Sequence, residues 1–255
     1  MHILLTNDDG FRAGGIRDLA RELVANNHRV TIVAPEVEQS AKSHAITIQT
    51  PVRLLQLSKE GDNPERFAVT GTPTDCMKLA LYFYLREDMP DLVVSGVNDG
   101  FNLGSDALYS GTVSAAMEAM FYKVPALALS VGRYSRERGA EIMPFIAKFI
   151  DKVYVQEGFK GLLNVNFPKS GPVGWEQVEV LDQGMQHYYD IIDERQDRRG
   201  RTYYWIGGKL TSEDEPTRTD VMAIKEGKIT VVALTWKQQD DEGTTQMRSM
   251  LHGDK

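Results

Sequence analysis

Short apolar runs alternate with segments of helical period over the first 160 residues, and few folds accommodate that order. ILL, RVTIVAP, FAVTG, DLVVSGVN and VPALALS are strand-length runs rich in β-branched or apolar residues. After the first of them, Ile16, Leu19, Ala20, Leu23 and Val24 recur at three- and four-residue intervals, the spacing of one helix face. GTPTDCMKLALYFYL opens with Thr72 as a plausible N-cap, Pro73 at the first helical position and Asp75 at capping-box spacing. YSGTVSAAMEAMF and RERGAEIMPFIAKFIDKVY are further helices, Pro144 standing near the start of the second or kinking it. AITIQTPVRLLQL reads as extended structure interrupted at Pro51. Continuous rather than alternating apolar runs belong to strands buried on both faces. The expected fold is α/β, a mostly parallel sheet with helices on both sides.

After about residue 160 the pattern changes. LLNVNFP is one more strand, and QVEVLDQ, YYWIGGKL and KITVVALTW are shorter β-segments. No flexible linker separates the two parts, so residues 1–170 are expected to form the core and 171–255 a β-rich extension packed on it. Residues 193–201, DERQDRRGR, mix both signs of charge, which fits a solvated loop or hairpin tip better than a nucleic-acid patch. With Tyr188 and Tyr189 before it, the segment could also be an arm reaching a partner subunit.

The net charge of -7 argues against broad binding to duplex nucleic acid or an anionic membrane. It also means that an anionic substrate needs a local positive element. The single cysteine, Cys76, excludes an internal disulfide and points to a reducing, cytoplasmic setting. Its place in an amphipathic helix fits a small buried residue better than a nucleophile. No basic-then-apolar leader and no membrane-length apolar stretch is expected.

Three strands end in small polar residues: TNDDG, AP followed by EVEQSAKS, and SGVNDGFNLG. In open parallel sheets such ends share one edge, where ligands bind. Asp8 and Asp9 are adjacent like charges in a strand-to-helix turn, and they repel unless a cation lies between them. Ser40 and Asn98 come from the other two ends. Carboxylate, hydroxyl and amide oxygens are what magnesium, manganese or calcium accept, whereas zinc-type histidine and cysteine sets are absent from these loops. The plain alternative is that one aspartate merely favours the helix N-terminus. Ser110, Gly111 and Thr112 open an Ala-rich helix, either as an anion site or as ordinary capping. A cation site beside an anion site is the layout of phosphate-ester chemistry.

TNDDG, APEVEQSAKSHAIT, GTPTDC and PDLVVSGVNDGFNLGSDALYSGTVSAAMEAM, in that order over most of residues 1–130, together resemble the SurE (survival protein E) family. YYWIGGKL and TDVMAIKEGKITV resemble it more weakly. The resemblance implies a metal-dependent 5′(3′)-nucleotidase with broader phosphatase activity and a Rossmann-like three-layer core. It implies one divalent cation held by Asp8, Asp9, Ser40 and Asn98, and a phosphate pocket from Asn102, Ser110, Gly111 and Thr112. It also implies a homodimer or homotetramer with exchanged C-terminal elements. Ala41 and Ser43 depart from the family pattern, standing where many members have glycine, and TVVALTW replaces a run similar to SITPL.

The expected reaction is attack on a phosphomonoester by a metal-activated water, with Asp9 or Asp8 as its base. Adjacent acids lack the two-residue spacing of aspartyl-phosphate phosphatases, and no G-x-S-x-G elbow is present. His44 is the one loop histidine near the motif, and Phe101 and Tyr109 are the aromatics that could stack on a base. A non-catalytic nucleotide sensor is the second reading, although G-x-G-x-x-G is missing from the first turn.

Overall fold

The computed structural model describes residues 1–211 and 217–252. Its centre is strand β1 (His2–Thr6), buried along its whole length. β1 pairs in parallel with β2 (Arg29–Pro35) on one side and β5 (Leu92–Asp99) on the other. β4 (Glu65–Val69) lies parallel beyond β2, and β3 (Leu54–Gln56) closes that edge antiparallel. Beyond β5 come β6 (Ala126–Val131) and β7 (Leu162–Phe167), both parallel. β11 (Ile229–Leu234) is antiparallel to β7, and β8 (Val178–Val180) ends the nine-stranded sheet. The order β3-β4-β2-β1-β5-β6-β7-β11-β8 puts the reversal of winding between β1 and β5. A crevice opens at such a point because the chain leaves the two strands in opposite directions.

Helices α1 (Gly14–Ala25) and α4 (Arg136–Ile150) cover one face of the sheet. Ile16, Leu19 and Leu23 of α1 pack on Ile3, Leu5 and Ile32, and Ile142 and Ile146 of α4 join the same core. α2 (Pro73–Lys78) and α3 (Gly111–Phe121) cover the other face, where Met77 and Val113 meet Leu4, Val33 and Val93. Each fully buried Leu or Ile contributes roughly 1.5–3 kcal/mol. The helical spacing read from the sequence is therefore the spacing of the two cores. Thr72 caps α2 as expected, accepting from the Asp75 N–H while the Asp75 carboxylate accepts from Thr72 N–H. Cys76 is fully buried there.

Several elements differ from expectation. Only Leu54–Gln56 of the stretch 45–57 is strand, since Pro51 has no N–H to give a ladder. α2 widens into a π-helical turn over Leu79–Tyr84, and α4 runs through Pro144 before widening over Asp151–Gln156. α5 (Asp220–Lys225) and α6 (Asp241–His252) are helices where none was expected. β9 (His187–Gln196) and β10 (Thr202–Thr211) form a separate two-stranded ribbon whose charged tip spans 197–201. None of the described helices is long and apolar enough to cross a membrane.

Candidate active site at the winding reversal

β1 delivers its C-terminal turn to the gap between β1 and β5. Asn7 closes that turn by donating its Nδ2–H to the Gly10 carbonyl at 3.0 Å. Asp8 is thereby buried at 4% exposure, while Asp9 stays half-buried at the rim. On the other side, β5 slips register against β6 between Ser95 and Asn98. Gly96 makes that slip possible. Its φ is +133°, and a Cβ there would lie 2.3 Å from the Leu129 carbonyl oxygen. The bulge leaves Asn98 and Asp99 at the sheet's edge.

The start of α3 is turned toward Asp8. Ser110 is the N-cap, its Oγ accepting from Val113 N–H at 3.1 Å. Thr112 Oγ1–H donates to Asp8 Oδ1 at 2.5 Å. A Cβ at Gly111 would come within 2.9 Å of Asp8 Cβ. Gly111 and Thr112 are thus buried behind Asp8, where the Thr112 hydroxyl serves the protein's own carboxylate and Val113 N–H serves the Ser110 cap. A close approach of backbone and anion was expected at Gly111, and the group packed closest to it is the Asp8 side chain.

The loop over residues 36–50 is drawn in by Gln39 N–H, which donates to the Asp8 carbonyl at 2.7 Å. Ser40 Oγ donates to Glu38 Oε1 at 2.7 Å, so its lone pairs face outward from that bond. Asn98 Nδ2–H donates to the Gly100 carbonyl at 3.0 Å, leaving Oδ1 as the end able to ligate. Asn102 is buried in an amide network: its N–H donates to Asn166 Oδ1, its Nδ2–H to Ser130 Oγ, and its carbonyl accepts from Asn164 and Asn166.

Asp8, Ser40, Asn98, Asn102 and Ser110 line one cleft of about 380 Å³. Asp9 does not line it but accepts the N–H of Asp99, which does, at 3.3 Å. Sequence reasoning passed over Asp106 and read Tyr188 only as part of an arm, yet both line the cleft and are joined by a Tyr188 O–H bond of 2.6 Å. It passed over Asn164 and Asn166 as well. Their signal was visible: two amides two residues apart in the otherwise apolar LLNVNF place polar groups on one face of a buried strand. Tyr109 is exposed and lines the cleft. Phe101 instead packs on Gly132 and on the Leu103, Val221 and Ile224 cluster. His44 bonds Glu118 and does not line the cleft.

Burial pushes the Asp8 carboxyl above its ordinary range, against the pull of the Thr112 bonds. Asp9 rises from 3.8 to about 6, first from burial and then from the neighbouring Asp8 charge. Between those two values the folded state holds a proton that the unfolded chain has lost. Stability from this group is full below pH 3.8 and falls as pH rises through about 6. In metal-free protein the loss should be about 1–2 kcal/mol between pH 4 and pH 7, allowing for partial solvent screening. Asp9→Asn should flatten that slope, as denaturant midpoints across the range would show. An unchanged slope would contradict the raised Asp9 carboxyl.

Among the described residues no three His, Cys, Asp or Glu side chains gather to hold a metal alone. A cation here would draw on two carboxylates together with the Ser40 hydroxyl and the Asn98 amide oxygen. That all-oxygen set suits a hard divalent ion, and the elevated Asp9 is a carboxylate short of positive charge.

Residues 3–190 match the family model described as Survival protein SurE. The chain is 44% identical over 238 residues to the 5'-nucleotidase SurE of Thermoanaerobacter sp. (strain X514), covering 92% of each. It is 39% identical to the 5'-nucleotidase SurE of Caldanaerobacter subterraneus subsp. tengcongensis, covering 97% of this chain and 96% of the relative. It superposes on the crystal structure of the SurE protein from Aquifex aeolicus with a TM-score of 0.79 at 31% identity, covering 98% of this chain and 99% of that one.

Proposed function

The chain belongs to the SurE family, and from that premise we propose that it hydrolyses nucleoside 5′-monophosphates, and in part 3′-monophosphates, to nucleoside and phosphate. One observation carries this reading. The cleft presents Asp8, Asp99 and Asp106, with Asp9 at its rim, and no lysine or arginine is among the described residues lining it. A phosphate dianion placed there meets negative charge and no cationic side chain among those lining residues. A divalent cation (magnesium, manganese or calcium) on Asp8, Asp9, Ser40 and Asn98 would reverse that field, acidify a water and neutralise charge on the phosphoryl group.

The chain's own residues supply the rest. Thr112 fixes the Asp8 carboxylate in one orientation. Asp9, the more exposed acid, takes the proton of the attacking water. Asn102 is held by Ser130, Asn164 and Asn166 and keeps a second amide proton for an equatorial oxygen. Ser110 spends its lone pair on Val113 N–H and keeps its hydroxyl proton for another. Tyr109 offers a face to the base.

The test is phosphate release from AMP by purified protein with manganese, magnesium, calcium or excess chelator. Turnover with a metal and none with chelator is the expected result. Equal turnover in both would remove the cation, and binding without release would favour a sensor. The ribbon of β9 and β10 exposes Tyr189, Ile192, Tyr204, Trp205 and Ile206, which supports assembly into a homodimer or homotetramer, and the free Cys76 is in keeping with a cytoplasmic setting. A single-chain mass by light scattering would oppose that.

A further inference from the structure

We propose that His44 is a positioning residue, a clasp that holds the Ser40 loop on the cleft against backbone strain from Ala41 and Ser43. The inference rests on the proposed hydrolysis only for its kinetic readout. Residues 36–50 contain neither helix nor strand. Within them Ala41 has φ +56° and Ser43 φ +52°. L-residues disfavour that region because Cβ crowds the backbone, and Ala41 has no polar group to offset it. Such residues persist only where their surroundings over-determine them.

On either side of the strained pair, Gln39 N–H holds the Asp8 carbonyl and Thr47 N–H holds Asp75 Oδ1. Ser43 donates through N–H to the Tyr109 carbonyl and through Oγ–H to the Leu108 carbonyl. The Ala45 carbonyl accepts from Thr72 Oγ1 at 2.7 Å. His44 Nε2 meets Glu118 Oε2 at 2.8 Å, and this contact differs in kind. Glu118 is 3% exposed, on a helix otherwise filled with small and apolar residues. Its other oxygen accepts from Lys78 Nζ at 2.7 Å. A buried carboxylate needs both partners, so it grips His44 more firmly than a neutral acceptor would.

The position of Glu118 matters as much as its charge. It lies six residues along α3 from Thr112, which holds Asp8. One rigid helix therefore fixes Asp8 at its start and, through His44, the loop carrying Ser40. Opposite pulls act on that loop: the clasp inward, and left-handed backbone outward. Cutting the clasp shifts the population to loops turned away from the cleft, and glycine at 41 removes part of the outward pull.

Lys42 lies in the loop and is exposed, so trypsin cleavage after it reads opening without any activity. His44→Ala should speed that cleavage about tenfold and raise half-saturating manganese about tenfold, with kcat changed by less than about threefold. His44→Gln, which retains an N–H for Glu118, should recover most of both. Ala41→Gly added to His44→Ala should recover part of both. Wild-type cleavage and metal affinity in His44→Ala would overturn the clasp. No recovery on adding Ala41→Gly would overturn the strain. If the wild-type protein releases no phosphate, the hydrolytic reading falls, yet the cleavage rates still decide the clasp.

Discussion

Asp8→Asn should lower kcat/KM for AMP about a thousandfold at saturating manganese while the protein stays folded. The substitution keeps shape: an amide oxygen can still accept the Thr112 hydroxyl that now reaches Oδ1. What disappears is one of two formal charges facing the cation. At about 4 Å and an effective dielectric near 20, two unit charges attract by roughly 4 kcal/mol and a divalent ion by about twice that, so losing even half of the attraction is about three powers of ten. Folding should not suffer, because burial already opposes the charged form of Asp8. Metal-free Asp8→Asn should therefore melt no lower than wild type at pH 7.5. Full activity in a variant of unaltered stability would remove the electrostatic model. Lost activity with a collapsed melting temperature would mean that the carboxylate serves the fold.

The parts of this site legible in the sequence were those set by local pattern together with one topological rule. Apolar runs ending in TNDDG, EVEQSAKS and SGVNDG mark the carboxyl ends of strands, and parallel winding brings such ends together. Asp8, Ser40, Asn98, Asn102 and Ser110 accordingly share a cleft. The role of Thr112 was not legible. Whether a helix start faces an outside anion or the chain's own carboxylate depends on packing between residues 104 positions apart. Asn164 holds Asn102 across 62 positions, and Tyr188 reaches Asp106 across 82. No periodicity encodes such pairings. The two late helices escaped notice for another reason. α5 is only six residues long, and α6 carries a thin apolar stripe of Met247, Met250 and Leu251 that stays exposed. Helical period is strongest where a face is buried, and α6 buries little of its own.

The late part of the chain nevertheless completes the site, and Asp220 is where this can be measured. Asp220 is 1% exposed. Its Oδ2 accepts from Gly104 N–H at 2.9 Å, and its Oδ1 accepts from Gly184 N–H at 2.8 Å and Val221 N–H at 2.9 Å. Gly104 follows the loop that carries Asn102, and Gly184 leads to Tyr188 at the cleft wall. Gln183 and Ser105 add bonds between the same two segments. Asp220→Ala leaves three N–H groups without this acceptor. At roughly 1–3 kcal/mol for each buried group left unpaired, and with some relaxation, the cost should be about 3–5 kcal/mol. For a chain of this size that lowers the melting temperature by about 10 °C. Asp220→Asn retains one oxygen acceptor and should lose about half as much. KM for AMP should rise in both variants, because Asn102 and Tyr188 lose their common tether. Half-saturating manganese should move little, because Asp8, Asp9, Ser40 and Asn98 hang from β1, β5 and the 36–50 loop. Calorimetry and a manganese titration at fixed AMP separate the two effects. A metal affinity that falls in step with stability would show that the two halves of the cleft are one cooperative unit.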